Sequence, residues 1–321
     1  MRVLVTGGAG YVGSVVAAQL LAAGHDVVVV DDLSTGHRDA VAPGAEFHQA
    51  DVADLAAAMG GWDLDAVIHF AAKSIVPESM REPARYWRNN VAGSVALLDA
   101  MRANAVPRIV FSSSAAVYGE VTETPILESA PARPTSPYGA TKLAIDLALA
   151  DYAHAYDMTA VSLRYFNVAG ALITDTGRYG ERHTTETHLI PVALNAVSGH
   201  AEKLSLFGTD YPTPDGTCVR DYIHVVDLGE AHLKALGVGA AGEHHVVNLG
   251  SGSGYTVRQV LSSIENVTGL PVPVIEAPRR PGDPAALVAS NVAAAELLDW
   301  RPQRDLDQMV SDAWEFVRPR G

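Results

Sequence analysis

The sequence holds one cysteine, Cys218, in 321 residues, so no disulfide can form within the chain and no cystine framework supports it. No apolar run approaches the ~18 residues that a membrane-spanning helix needs. No segment repeats at a fixed period, and none is of low complexity. Positive charge is scarce: 23 Lys and Arg stand against 37 Asp and Glu, a net charge of -14. Such a surface repels nucleic-acid backbones and anionic membranes, so neither is an expected partner. Met1 leads straight into Arg2-Val3-Leu4-Val5 without the polar start, apolar middle and cleavage region of a secretory signal. With the lone cysteine, this points to the cytoplasm.

What is present is globular. Hydrophobic residues make up 48% of the chain and charged residues 19%, which excludes wholesale disorder. At about 150 residues per domain, the length suits two domains or one large α/β unit. Arg2 to Thr6 is a β-branched and aliphatic run closed by glycines, and Tyr11 to Ala23 then carries small and aliphatic residues at helical spacing. His25 to Val30 follows as a continuous apolar strand, the pattern of a parallel sheet covered on both faces. Further strands are expected at Ala66 to Phe70, Arg108 to Ser112 and Ala160 to Tyr165, with helices near Pro83 to Ala103 and Tyr138 to Ala155. This alternation predicts an α/β fold, a doubly wound parallel sheet of Rossmann type over residues 1–167.

Beyond Asn167 the texture changes, with Gly, Thr, Pro and His frequent through Ala171 to His188 and a long loop at Gly208 to Gly216. Residues 168–321 are therefore expected to form a smaller α/β substrate domain, with helices at Ile190 to Ser198, Thr256 to Thr268 and Leu306 to Val317. Val225 to Leu236 and Val246 to Asn248 look like a helix and a strand that return to the main sheet, so the two regions interleave near 220–250.

Gly7, Gly10 and Gly13 stand at GxxGxxG spacing between the first strand and the first helix. Glycines permit a tight turn and close backbone approach, and free N–H groups at the helix start, at Tyr11 and Val12, attract a pyrophosphate. Asp31 ends the second strand, where its carboxylate can accept both ribose hydroxyls of an adenosine. With Asp32 beside it, a 2′-phosphate would be repelled, so the cofactor is NAD rather than NADP. Asp51-Val52, after the third strand, either contacts the adenine or caps the next helix. Tyr138 and Lys142 stand at i and i+4 of a predicted helix and share a face. A phenol of pKa about 10 is a poor base at neutral pH, and a nearby ammonium together with the nicotinamide charge would favour the phenolate. Ser112-Ser113-Ser114 closes a strand at the carboxyl edge of the sheet, where a hydroxyl can meet a reacting alcohol or cap a turn. No metal site is expected.

From end to end the chain resembles the extended short-chain dehydrogenase/reductases and, within them, the UDP-glucose 4-epimerases (UDP-galactose 4-epimerases). The similar segments include Thr6 to Gly13, His69 to Ala72, Asn89 to Val91, Phe111 to Gly119, Ser136 to Gly139, Leu163 to Asn167, Gly208 to His224 and Pro278 to Asp283. Phe207 to Thr213 and Val219 to His224 are the most specific of them.

The resemblance implies that Tyr138 is the acid and base, that Ser114 is its partner on the sugar 4-hydroxyl, and that Lys142 binds the nicotinamide ribose and lowers the phenol's pKa. It implies that Phe70, Ala71, Ala72, Asn90, Ser112 and Tyr165 line the cofactor. Asn167, Leu189, Phe207, Arg220, Tyr222, Arg280 and Asp283 would hold UDP, for which an acidic protein needs local arginine forks. His188 stands where many members carry Asn, and either donates to a phosphate or only begins a helix. Some members carry a lysine at the place of Ser74, whereas here Lys73 comes one residue earlier. Leu287, four residues after Asp283, would gate N-acetylated sugars.

The implied activity is the NAD-dependent interconversion of UDP-galactose and UDP-glucose, in a homodimer paired through the helices at Pro83 to Ala103 and Tyr138 to Ala155. A nucleotide-sugar 4,6-dehydratase would need an acid after the reacting hydroxyl, where Ala115-Ala116 stand. A UDP-glucuronate decarboxylase or 4-epimerase would share the oxidation. A non-catalytic NAD-binding regulator would need none of Ser114, Tyr138 and Lys142.

Overall fold

The computed structural model describes residues 1–121, 123–200, 203–280 and 283–318. Seven parallel strands form the central sheet: β1 (Arg2–Thr6), β2 (Asp26–Asp31), β3 (Glu46–Gln49), β4 (Ala66–His69), β5 (Arg108–Ser114), β6 (Thr159–Tyr165) and β7 (His244–Leu249). Their order is β7-β6-β5-β4-β1-β2-β3. The chain starts in mid-sheet at β1, runs outward through β2 and β3, then reverses to β4 on the other side. That reversal opens a crevice at the carboxyl ends of β1 and β4, the place where doubly wound sheets bind ligands.

Alternate residues of β1 explain the two layers. Val3 and Val5 face one apolar cluster with Val16 and Leu20, while Leu4 faces another with Leu97, Leu98 and Leu149. All are buried, so β1 reads as a continuous apolar run, as does Val27 to Val30 of β2. The longer helices are α1 (Tyr11–Ala22), α2 (Gly93–Ala103), α3 (Pro137–Tyr156), α4 (Leu189–Val197), α5 (Val225–Ala235), α6 (Val257–Thr268) and α7 (Leu306–Val317). α3 begins cleanly because Pro137 occupies its first turn and the Ser136 hydroxyl accepts from the Gly139 N–H at 3.2 Å. α4, α6 and α7 contribute Leu194, Ile264 and Met309 to a third core, which supports the smaller region.

Strand β7 pairs with β6 at the sheet edge, in register from His244 opposite Ala160 to Leu249 opposite Tyr165. α5 packs on α1, and Gln19 donates to the Val226 carbonyl at 3.0 Å. The chain leaves the sheet after β6 and comes back near 244–249 to add its edge strand.

The expected helix from Pro83 to Ala103 is interrupted. Pro83–Tyr86 is α-helical, Trp87–Ala92 widens into a π-helical turn, and only then does α2 run on. The turn places the Asn90 side chain in the interior, where its amide bonds Lys73 and Thr141. Apolar spacing does not reveal this, because the compensation for the lost helical bonds is tertiary. A further helix, Val292–Leu298, lies in a stretch the sequence reading leaves unassigned.

Candidate active site

The crevice deepens into an elongated cavity of about 570 Å³. One end runs from Asp31, Asp32, Asp51 and Val52 past Gly7, Gly10, Tyr11, Val12 and Gly13. Gly7 has φ +71°, and a Cβ there would lie 2.7 Å from the Ala71 nitrogen. A Cβ on Gly13 would press into the Gly7 carbonyl, so both positions need glycine for the loop to fold under a ligand. No side chain caps the first turn of α1 at Gly10, which leaves its N–H groups free to receive a phosphate. Asp31 Oδ2 accepts from the Ala9 N–H at 3.0 Å and Oδ1 from Leu33 at 2.8 Å, which fixes the carboxylate at the cavity edge. Burial raises its pKa, and those backbone donors work against the rise. Asp51 lines the cavity and also caps a turn, accepting from the Ala53 N–H at 2.9 Å. A cradle without side chains and a fixed acid suit the pyrophosphate and adenosine ribose of NAD.

At the middle of the cavity β5 and α3 bring Ser114, Tyr138 and Lys142 together. Burial pushes the Tyr138 phenol above its usual value, and a hydrogen bond with Ser114 opposes the rise. Lys142 is 2% exposed, donates to the Ser112 carbonyl at 2.6 Å, and lies 5.8 Å from the centre of the Tyr138 ring. Burial lowers its pKa to about 7, against the pull of Asp146. Behind the site, His69 sits between Thr6 and Ser94 at 2.6 and 2.7 Å. Tyr165 meets the Ser112 hydroxyl, and Phe70, Ala71 and Ala72 complete this wall.

The far end carries Asn167, His188, Arg220, Asp283 and Leu287. Arg220 pairs with Asp283, and Asn167 donates to the Asp221 carbonyl at 2.9 Å. Five residues expected at the site stand off this wall among the described residues. Asn90 is buried, and its amide is engaged with the backbone of Lys73, which does line the cavity. It braces the wall rather than facing it. Leu189 and Tyr222 pack into the third core. The exposed Arg280 folds over the Phe207 ring at 4.1 Å, so each occupies the other. Pro281 and Gly282, in the same segment of resemblance, lie outside the described residues.

In the sequence His188 alone stands out in its segment and no metal site is expected; the structure surrounds that histidine with Glu181, His183 and Glu186. Hydrogen bonds with Glu181 and Glu186 raise His183 to about 9. Burial opposes charging His188, and the same two carboxylates nevertheless raise it to about 10. The signal was a Glu-x-His-x-x-Glu-x-His spacing, which in a loop carries no periodicity.

The family model described as NAD dependent epimerase/dehydratase matches residues 3–250. A protein of Corynebacterium glutamicum named UDP-glucose 4-epimerase is 52% identical over 100% of this chain and 97% of its own. The structure of a UDP-glucose 4-epimerase from Brucella ovis in complex with NAD has a TM-score of 0.93 and 45% identity, covering 98% of this chain and 97% of that one. One from Bifidobacterium longum in complex with NAD+ and UDP has a TM-score of 0.91 and 36% identity, covering 98% of each chain.

Proposed function

The chain belongs to the NAD dependent epimerase/dehydratase family, and from that premise we infer that it interconverts UDP-galactose and UDP-glucose at sugar C4 with NAD as cofactor. The observation that carries the reading is the meeting of Tyr138, Ser114 and Lys142 in one cavity, between a side-chain-free phosphate cradle and Arg220. NAD, when bound, supplies the hydride acceptor and donor for C4. Tyr138 takes the proton of the sugar 4-hydroxyl and returns it, while Ser114 holds that oxygen in line. Lys142 supplies positive charge beside the phenol when protonated, favouring the phenolate in which the proton transfer begins.

Epimerisation also requires the 4-keto sugar to present its other face, which calls for firm nucleotide contacts and loose sugar contacts. Arg220 offers a guanidinium fork to the diphosphate once a ligand competes for its pairing with Asp283. Phe166, Val168 and Leu287 add apolar side chains to the cavity wall, which would leave the sugar loosely held. Ala115 and Ala116 present methyl groups beside Ser114, which offers no acid for elimination and disfavours a dehydratase.

The reading extends to a cytoplasmic homodimer. Trp87 and Leu147, 44% and 61% exposed on neighbouring helical segments, supply the apolar surface for pairing, and no described helix is long and apolar enough to cross a membrane. Residues 1–167 with the return near 220–250 hold NAD, and 168–321 mainly hold the UDP-sugar. Incubation with UDP-galactose tests the activity: UDP-glucose is expected without added reductant, and an unchanged sugar nucleotide would favour a non-catalytic regulator.

A further inference from the structure

Between the short strand Arg178–Tyr179 and α4, an eight-residue segment turns four side chains toward one point. His183 Nδ1 lies 3.0 Å from Glu181 Oε1 and 3.6 Å from Glu186 Oε2. His188 Nδ1 lies 2.5 Å from the same Glu181 oxygen and 3.3 Å from Glu186 Oε1. Simple ion pairing needs one carboxylate per imidazole. Here each carboxylate reaches both imidazoles, and one donor atom from every residue falls within 4.8 Å of all the others. The backbone holds one carboxylate in place, because Glu186 Oε1 also accepts from the N–H groups of Thr187 at 2.7 Å and His188 at 2.8 Å. Glu181 and Glu186 side chains are only 7% and 12% exposed, so this is a sheltered cluster and not a solvated acidic face.

We propose that Glu181, His183, Glu186 and His188 form a binding site for one divalent transition-metal ion of the zinc class. A tetrahedral ion with bonds of about 2.0–2.2 Å to nitrogen and oxygen sets its ligand atoms roughly 3.3–3.6 Å apart. The present separations straddle that spacing, so small side-chain rotations open the centre for an ion. Two imidazoles with two carboxylates suit zinc and its first-row neighbours, whereas magnesium and calcium call for all-oxygen shells. Four protein ligands close the shell, which makes the site structural: the ion clasps the segment that carries His188 to the cavity wall. The segment is already tethered on one side, where the Arg182 guanidinium makes two bonds to Asp39 at 2.7 and 3.0 Å. On the other side Arg178 reaches the carbonyls of Glu315 and Phe316 at the end of α7. A metal between those tethers would fix the smaller region against the cofactor-binding one.

The test is metal binding to the whole protein, independent of its activity. After exhaustive chelation and dialysis, zinc titration followed by elemental analysis should give one tightly held ion per chain, and a raised melting temperature. His183→Gln and, separately, Glu186→Gln should weaken binding at least about tenfold and remove the thermal shift, while both keep the wild-type circular dichroism. Substituted cobalt should show the intense visible absorption of a tetrahedral centre, lost in either variant. Zinc held equally by wild type and both folded variants would mark adventitious binding at other histidines and overturn the proposal, as would a wild type that takes up none.

Discussion

Lys142 Nζ lies 2.6 Å from the Ser112 carbonyl oxygen, a neutral partner, although the ammonium is almost wholly buried. That bond joins α3, which carries Tyr138, to β5, which carries Ser114, and so holds the two side chains proposed to react in fixed relation. Replacing Tyr138 by Phe should leave the fold and cofactor content intact and lower turnover at least about a hundredfold, the low end for a positioned acid and base. Steady-state rates with UDP-galactose check it, and near-normal turnover would remove Tyr138 from the role.

Lys142→Met should slow turnover and move the pH optimum upward. A cation near the phenol favours its ionised form, so its loss makes the phenol harder to deprotonate. The pH profile of kcat separates this from a loss of packing, which would lower the rate without moving the profile.

Purified protein should release NAD(H), and not NADP(H), when denatured. Asp31 and Asp32 line the end of the cavity proposed to hold the adenosine, and a 2′-phosphate there would meet two carboxylates. Nucleotide analysis of the supernatant decides it, and NADP as the main product would contradict the assignment.

Leu287 lines the cavity, in register with Arg220 on the neighbouring strand, and is proposed to face the sugar. Leu287→Ala should raise turnover of UDP-N-acetylglucosamine relative to UDP-glucose, and Leu287→Tyr should abolish the former, since a packed wall rejects an added acetamido group by volume. An unchanged ratio across the three proteins would show that the gate lies elsewhere.

Stability should fall as pH drops below about 6.5. Burial, helped by the Lys142 charge, lowers His69 to about 3, and burial lowers His232 to about 4 against the pull of the Leu228 carbonyl. Both imidazoles stay neutral in the folded chain at pH values where the unfolded chain protonates them. Protons therefore favour unfolding between those folded values and about 6.5, by an amount on the order of a few kcal/mol. Urea melts at about pH 7.5 and about pH 5 measure the slope, and His232→Asn should flatten it.

The parts of this molecule that were legible in its sequence depend on near neighbours. The glycine cradle announces itself because a strand precedes it and a helix follows within thirteen residues, and Tyr138 and Lys142 share a face by helical geometry alone. What stayed hidden depends on contacts far along the chain. Asn90 turns inward because Lys73 and Thr141 wait for its amide, and Arg280 leaves the wall because Phe207 offers a ring. His183 looks unremarkable until a loop folds it against two glutamates and a second histidine.

The return of β7 to the sheet has a consequence for how the chain is made. When the ribosome has finished β6, the unpaired edge of that strand and the face of α1 that α5 will cover both remain open. They stay open until about eighty further residues, including α4, have been synthesised, since β7 ends at Leu249. A nascent chain stalled in that interval displays a pairing edge and an apolar helix face at once, the state most prone to join a second chain. Slow translation across residues 166–249 should therefore cost yield through aggregation, and slowing placed after Leu249 should cost less.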